Sequence, residues 1–196
     1  MKLFIDSSTN YLYLAAENKG SYHHFVRYGK NDHSETMMDF VDSFIEDNSF
    51  TYDDLEAIFI GRGPGSYTGL RIAGVIGKVM AYLKNVPLYS FSSLDISLAW
   101  VYNHPTLVKY KSITPAKKNY SYAKIFSITN NKLMVVDDEM FIENQELEEK
   151  YYDYHTIEIT EELLNSDDIA ANILKYKMYE KEDALEYSPN YLRSGI

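Results

Sequence analysis

The chain has 196 residues, 45% hydrophobic and 24% charged, which fits one ordinary globular domain or two small lobes and excludes a disordered chain. Cysteine is absent, so disulfides, cysteine–zinc sites, iron–sulfur clusters and thiol nucleophiles are excluded too. The formal charge of −10 opposes phosphate over most of the surface, so any contact with nucleic acid must use a local patch or a partner.

No run approaches the roughly 18 apolar residues of a membrane helix. Met1-Lys2-Leu3-Phe4-Ile5-Asp6 meets an acid too early for a signal peptide. A cytoplasmic protein without membrane contact is expected. Leu3–Ile5, Tyr11–Ala16 and Ser21–Tyr28, separated by the turns Asp6–Asn10 and Asn18–Gly20, predict an antiparallel meander. Asp32-His33-Ser34-Glu35 has the spacing of a capping box and opens a helix to about Glu46. Met37, Met38, Phe40, Val41, Phe44 and Ile45 share one arc of that helix, and Asp39, Asp42, Ser43 and Glu46 lie opposite.

Ala57–Ile60 reads as a strand, the glycine-rich loop Gly61–Ser66 breaks it, a helix runs from about Tyr67 to Lys84, and Val86–Ser90 is the next strand. This strand–loop–helix–strand order is α/β grammar. Ser92 or Ser93 is placed to cap a further helix through Leu98 and Trp100. In the later half, Ser121–Ile128 and Lys132–Val136 predict a hairpin around Asn130-Asn131, and Ser166–Tyr179 predicts a helix. Lys109, Lys111, Lys117, Lys118 and Lys124 occur with no acid between them, whereas Asp137–Asp168 carries thirteen acids and one base, Lys150. That contrast reads either as solvated edges of opposite sign or as a phosphate or partner contact on the lysines.

The glycine loop fails as a phosphate cradle by the usual patterns. After Gly65 and Gly69 come Leu70-Arg71, not the lysine and hydroxyl of a P-loop. The dinucleotide fingerprint needs a glycine where Thr68 stands and an acid after the next strand, where Tyr89-Ser90-Phe91 has none. The following helix still offers an N-terminus to an anion. Gly69, Ala73, Gly77 and Ala81 form a small-residue ridge beside the bulky Ile72, Ile76, Val79 and Leu83, with Arg71, Lys78 and Tyr82 marking a narrow wet side. Such a helix is either central to one core or packed against a helix of another subunit.

Gly63-Pro64-Gly65-Ser66-Tyr67-Thr68-Gly69-Leu70-Arg71-Ile72 strongly resembles the signature of the TsaB (YeaZ) family. Ile5-Asp6-Ser7-Ser8, His33-Ser34-Glu35 and Pro189-Asn190-Tyr191-Leu192-Arg193 resemble that family's opening turn, first helix and C-terminal end. The resemblance implies an actin/Hsp70-like (ASKHA) α/β fold of two small lobes, each a mixed sheet with helices. The division expected is residues 1–100 as the first lobe and 101–196 as a smaller, diverged second lobe. It further implies a non-catalytic assembly subunit for threonylcarbamoylation of adenosine 37 in tRNA, with a TsaD-like ligase and a TsaE-like ATPase as partners. Transfer RNA is then reached through the complex, and the chain alone forms a homodimer. ATP and a divalent metal are expected in the partners and no cofactor in this chain. The partner interface is placed on His33, Ser34, Met37, Met38, Val41 and Ile45 of the first helix and on Gly69, Arg71, Ala73 and Gly77 of the second. Where the family usually has Asp-Ala-Arg-Arg, this chain has Pro115-Ala116-Lys117-Lys118, which keeps the basic pair and loses the acid; Lys117 and Lys118 are the expected RNA or partner contact.

The alternative is an ASKHA-type small-molecule kinase or other nucleotide-binding enzyme. Asp6, at the end of its strand with Ser7 and Ser8, reads either as a turn-forming residue bonded to its own backbone or as a remnant nucleotide contact. An enzyme of that kind needs a second glycine-rich phosphate turn, and after Gly77 the sequence has one glycine, Gly195. The five histidines, His23, His24, His33, His104 and His155, form no His-x-x-x-His pair, so no metal site is expected.

Overall fold

A computed structural model describes residues 1–29, 33–105, 107–129 and 132–192, with residues 33–35 described by their backbone only. Asp32 of the predicted capping box, the Asn130-Asn131 turn, Arg193 and the side chains of His33 and Ser34 lie outside the described residues.

The first half runs β1 (Lys2–Asp6), β2 (Tyr11–Asn18), β3 (Ser21–Tyr28), α1 (His33–Asp47), β4 (Ala57–Gly61), α2 (Tyr67–Lys84), β5 (Leu88–Phe91) and α3 (Asp95–Val101). The second runs β6 (Lys109–Pro115), β7 (Tyr120–Thr129), β8 (Lys132–Glu143), α4 (Asn144–Lys150), β9 (His155–Glu158), α5 (Glu161–Leu164), α6 (Asp168–Lys175) and β10 (Glu180–Glu182). Two mixed sheets result, in the orders β10-β5-β4-β1-β2-β3 and β8-β7-β6-β9. β1 to β3 form the expected meander, and β1, β4 and β5 pair in parallel as the strand–helix–strand unit requires. The structure shows β6 and β9, which pair with each other and which sequence patterning did not anticipate. β10 comes from the C-terminal segment yet joins the first sheet, against β5.

Strand alternation sends residues to opposite faces of the first sheet. Leu3, Ile5, Leu12, Leu14, Ile58 and Ile60 pack with Met37, Val41, Phe44 and Ile45 of α1 and with Ala73 and Met80 of α2. Phe4, Tyr13, Ala15 and Phe59 face the other way and join α3, α6 and the inner face of the second sheet through Tyr110 and Phe126. Phe4 and Phe59 stack at 4.6 Å. One sheet is thus covered on both faces, and its second cover is the other sheet with its helices.

The seating of α2 corrects the expected interface. A Cβ on Gly69 would stand 1.9 Å from the Ser7 carbonyl oxygen, and one on Gly77 would stand 2.6 Å from Ile60 Cγ2. Ala73 is fully buried in the same core. The small ridge is therefore the close-packing face of α2 against its own β1–β2 turn and β4, and it is not a surface for another subunit. Met37, Val41 and Ile45 are likewise core residues of α1, leaving Met38, 39% exposed, as the outward apolar side chain of that set. Ser93 does not cap α3. Its hydroxyl donates to Asp6 Oδ2 and accepts from the Gly63 N–H, and α3 starts after Leu94 without a side-chain cap.

Gly69→Ala should therefore destabilise the fold by about 1–3 kcal/mol, the usual scale of overpacking, because the methyl meets backbone that cannot swing away. Val75→Ala on the outward side of α2 should change stability by less than about 0.5 kcal/mol. Urea unfolding monitored by circular dichroism separates the two; equal stabilities would contradict the close packing.

Candidate functional site

Two surfaces of the described residues have the makings of a site, one beside the N-terminal end of α2 and one along its later turns. The first is a cavity of about 810 Å³ between the lobes. The second is the outward face of α2.

The turn after β1 is organised around Asp6, which is 2% exposed. Its carboxylate accepts from the Ser8 N–H at 3.0 Å, from the Ser8 hydroxyl at 2.7 Å and from the Ser93 hydroxyl. Burial pushes its pKa up, against the lowering effect of those hydrogen bonds. The Ser7 hydroxyl donates to the Gly69 carbonyl at 2.9 Å, and Ser66 N donates to the Ser8 carbonyl at 2.6 Å. A Cβ on Gly65 would lie 2.2 Å from that same carbonyl, so loop and turn are in contact with no gap. Asp6, Ser7 and Ser8 thus use their polar atoms inside the chain. Of the two readings of this turn, the turn-forming residue bonded to its own backbone describes Asp6, which accepts from the Ser8 N–H; Asp6 and Ser7 are buried, and Ser8 borders the cavity with its hydroxyl on Asp6.

The other wall of the cavity is the inner face of the second sheet. Thr114, Tyr122 and Phe141 lie directly opposite one another on β6, β7 and β8 and so share one face. Lys117 and Lys118 sit on the exposed turn between β6 and β7 at its rim. The lysine-rich stretch is largely neutralised by acids from other elements. Lys109 pairs with Asp153 at 2.5 Å, Lys111 with Glu148 at 2.6 Å and Lys124 with Asp95 at 2.6 Å. Burial would lower the pKa of Lys124, but Asp95, with Asp138 and Glu139 behind it, outweighs that and raises it. Lys117 and Lys118 make no ion pair among the described residues, so the basic character of the stretch is confined to the two residues singled out in the sequence.

On α2, Val75, Val79, Tyr82 and Leu83 are 60%, 50%, 69% and 72% exposed. Arg71 continues this face toward the N-terminus, donating to the Tyr67 hydroxyl at 3.0 Å with its guanidinium over the ring. The tail after β10 lies along the flank of the helix. Lys78 Nζ donates to the carbonyls of Leu185 and Tyr187, and Tyr191 packs on Tyr67. Of the expected interface residues, Met38 and Arg71 are outward; Val75, Val79, Tyr82 and Leu83 are outward residues the sequence did not assign to an interface. The available signal is their four-residue spacing with Arg71, half a turn from the glycine ridge.

Asp6→Asn keeps the shape of this turn and removes the buried charge. An acid with a raised folded pKa binds protons more tightly in the native state, so its ionisation costs stability as pH rises from the ordinary range near about 4 through the folded value. The variant should gain stability relative to the parent between pH 4 and pH 8. Paired urea titrations at the two pH values test this, and a difference that stays constant would contradict the buried charge.

Among the described residues no helix is long and apolar enough to cross a membrane. A family-wide sequence profile described as TsaD, tRNA N6-adenosine threonylcarbamoyltransferase, matches residues 27–182. The tRNA threonylcarbamoyladenosine biosynthesis protein TsaB of Bacillus subtilis (strain 168) is 31% identical over 59% of this chain and 50% of its own length. Its namesake in Escherichia coli (strain K12) is 29% identical over 54% of this chain and 47% of its own length. The chain spans about half the length of the curated relatives it matches. A crystal structure from Pseudomonas aeruginosa, of an uncharacterized protein with similarity to peptidase YeaZ, superposes with a TM-score of 0.77, covering 98% of this chain and 99% of that one at 18% identity. A second structure, YeaZ from the same organism, gives 0.78 at 17% identity over 97% and 99%. These two share the fold, which is the actin/Hsp70-like one. The profile match takes in most of the chain, so the chain belongs to the TsaD family, and several of its relatives are named TsaB.

Proposed function

We propose that this chain is a non-catalytic assembly subunit in threonylcarbamoylation of adenosine 37 of tRNA, seated on a TsaD-like ligase, with a TsaE-like ATPase joining the same assembly. The observation that carries the reading is the outward face of α2. Val75, Val79, Tyr82 and Leu83, with Met38 of α1, form apolar surface of a kind that monomers rarely leave in water. A partner helix pair laid across it would cover these residues while the glycine ridge holds α2 to its own sheet. In the absence of the ligase, the same face pairs two copies of the chain, since a self-complementary patch closes a two-fold dimer.

The supporting chemistry lies in how polar groups are used. The turn at Asp6–Ser8 is occupied by internal hydrogen bonds. ATP and a divalent metal belong, in this reading, to the partner subunits. The relatives named for tRNA threonylcarbamoyladenosine biosynthesis supply the reaction class.

Val79→Glu should abolish co-elution with the co-expressed TsaD-like ligase in size-exclusion chromatography. A charge buried without a partner weakens binding by at least about tenfold, or 1.4 kcal/mol. The isolated variant should run as a monomer where the parent runs as a dimer. Circular dichroism must show the variant folded, as expected for a half-exposed position. A folded Val79→Glu chain that still co-elutes would remove α2 from the interface. Reconstitution of the modification with ligase, ATPase, the threonylcarbamoyl-AMP-forming enzyme and tRNA should fail without this chain; full modification in its absence would overturn the assembly role.

A further inference from the structure

The interlobe cavity is lined by rings on both sides. Tyr122 and Phe141 belong to the inner face of the second sheet, and Tyr120 stacks on Phe141 at 4.7 Å with the two planes 4° apart. Tyr11 and Tyr67 line it from the β1–β2 turn and α2. Thr114, on the row of Tyr122 and Phe141, is buried and its hydroxyl oxygen has no partner. The rim carries Lys117 and Lys118, two cations without an ion pair among the described residues, in a chain of net charge −10.

We infer that this cavity receives an unpaired base of single-stranded RNA, with the adjoining phosphates on Lys117 and Lys118; the choice of RNA rests on the role in tRNA modification proposed above. Aromatic side chains lining a cavity give a flat ring groups to stack on, and stacking of a base on an aromatic side chain tolerates any base identity. Two lysines match two successive diester charges. Lys117 and Lys118 are exposed at the tip of the β6–β7 turn, so a strand can run past the rim with one nucleotide turned inward.

The shared chemistry of a ring and a phosphate is also met by a free nucleotide, and the test separates the two. Fluorescence anisotropy of a fluorescein-labelled hexaadenylate with the full-length chain at low salt reads the binding. Tyr122→Ala should weaken it about five- to a hundredfold, the range for removing one ring from a base stack, and Tyr122→Phe should restore it. Lys117→Gln with Lys118→Asn, where asparagine tolerates the left-handed backbone at residue 118, should also weaken it. That variant should flatten the salt dependence by about 0.7 logarithmic units for each phosphate it no longer neutralises, whereas Tyr122→Ala should leave the slope unchanged. AMP competing as effectively as the hexanucleotide would overturn the assignment to RNA. A folded Tyr122→Ala chain that binds like the parent would overturn the cavity as the base site. If the reconstituted assembly still requires the chain, the docking role survives either of those results, so the two readings fail separately.

Discussion

The arrangement depends on how closely α2 sits on the β1–β2 turn. Ser66 N donates to the Ser8 carbonyl, the Ser7 hydroxyl donates to the Gly69 carbonyl, and the alpha carbons of Gly65 and Gly69 leave no room for a side chain between the two backbones. Asp6 closes the same joint from beneath, tied through the Ser93 hydroxyl to the loop that carries Gly63. Three consequences follow from this one joint. It occupies the polar atoms that a nucleotide-binding turn would present. It fixes which face of α2 points inward. It also sets the floor of the cavity beside the helix.

The general order of the first half was legible because its physical signals agree. Turn residues separate β1, β2 and β3, apolar periodicity marks α1 and α2, and the glycine loop stops β4. The side of α2 that meets the sheet was not legible, because the helix is apolar or small on two opposite faces. Gly69, Ala73 and Gly77 are four apart, and Val75 and Val79 are four apart half a turn away. Periodicity identifies both stripes and cannot rank them; the ranking comes from Ser7 and Ile60, which are close enough to require glycine. β6 was missed for a different reason. Lys109, Lys111 and their neighbours read as polar surface, yet Lys111 is buried because its ammonium reaches Glu148 of α4.

The same pairing changes the meaning of the charge contrast between the lysine-rich stretch and the acidic segment after it. The two are adjacent in sequence and complementary in space. Acids of α4 and of the turn after it cover Lys111 and Lys109, and Asp95 from the first lobe covers Lys124. Lys124–Asp95 is the buried one of the three, and such a pair contributes little net stability when both members are present and costs much when one is removed. Lys124–Asp95 ties the second sheet to α3, where Ser112 also donates to the Leu94 carbonyl, and Asn172 of α6 donates to the Ala99 carbonyl of α3.

Tyr67 is where the two surfaces meet. It is the first residue of α2, it lines the cavity, its hydroxyl accepts from Arg71 on the outward face, and its ring packs on Tyr191 of the tail. The tail continues the connection. Asn190 donates from its side chain to Glu139 on β8, and its backbone N–H donates to the Arg62 carbonyl in the glycine loop, while Arg62 stands 3.7 Å from Glu139. A load placed on the outward face of α2 therefore bears, through Tyr67 and the tail, on Glu139 of β8, a strand of the sheet that forms the other wall. Coupling between sites needs a contiguous set of packed and hydrogen-bonded groups, and here that set is five residues long: Arg71, Tyr67, Tyr191, Asn190 and Glu139. One helix thus lines the cavity with its first residue and turns an apolar face outward along its later turns.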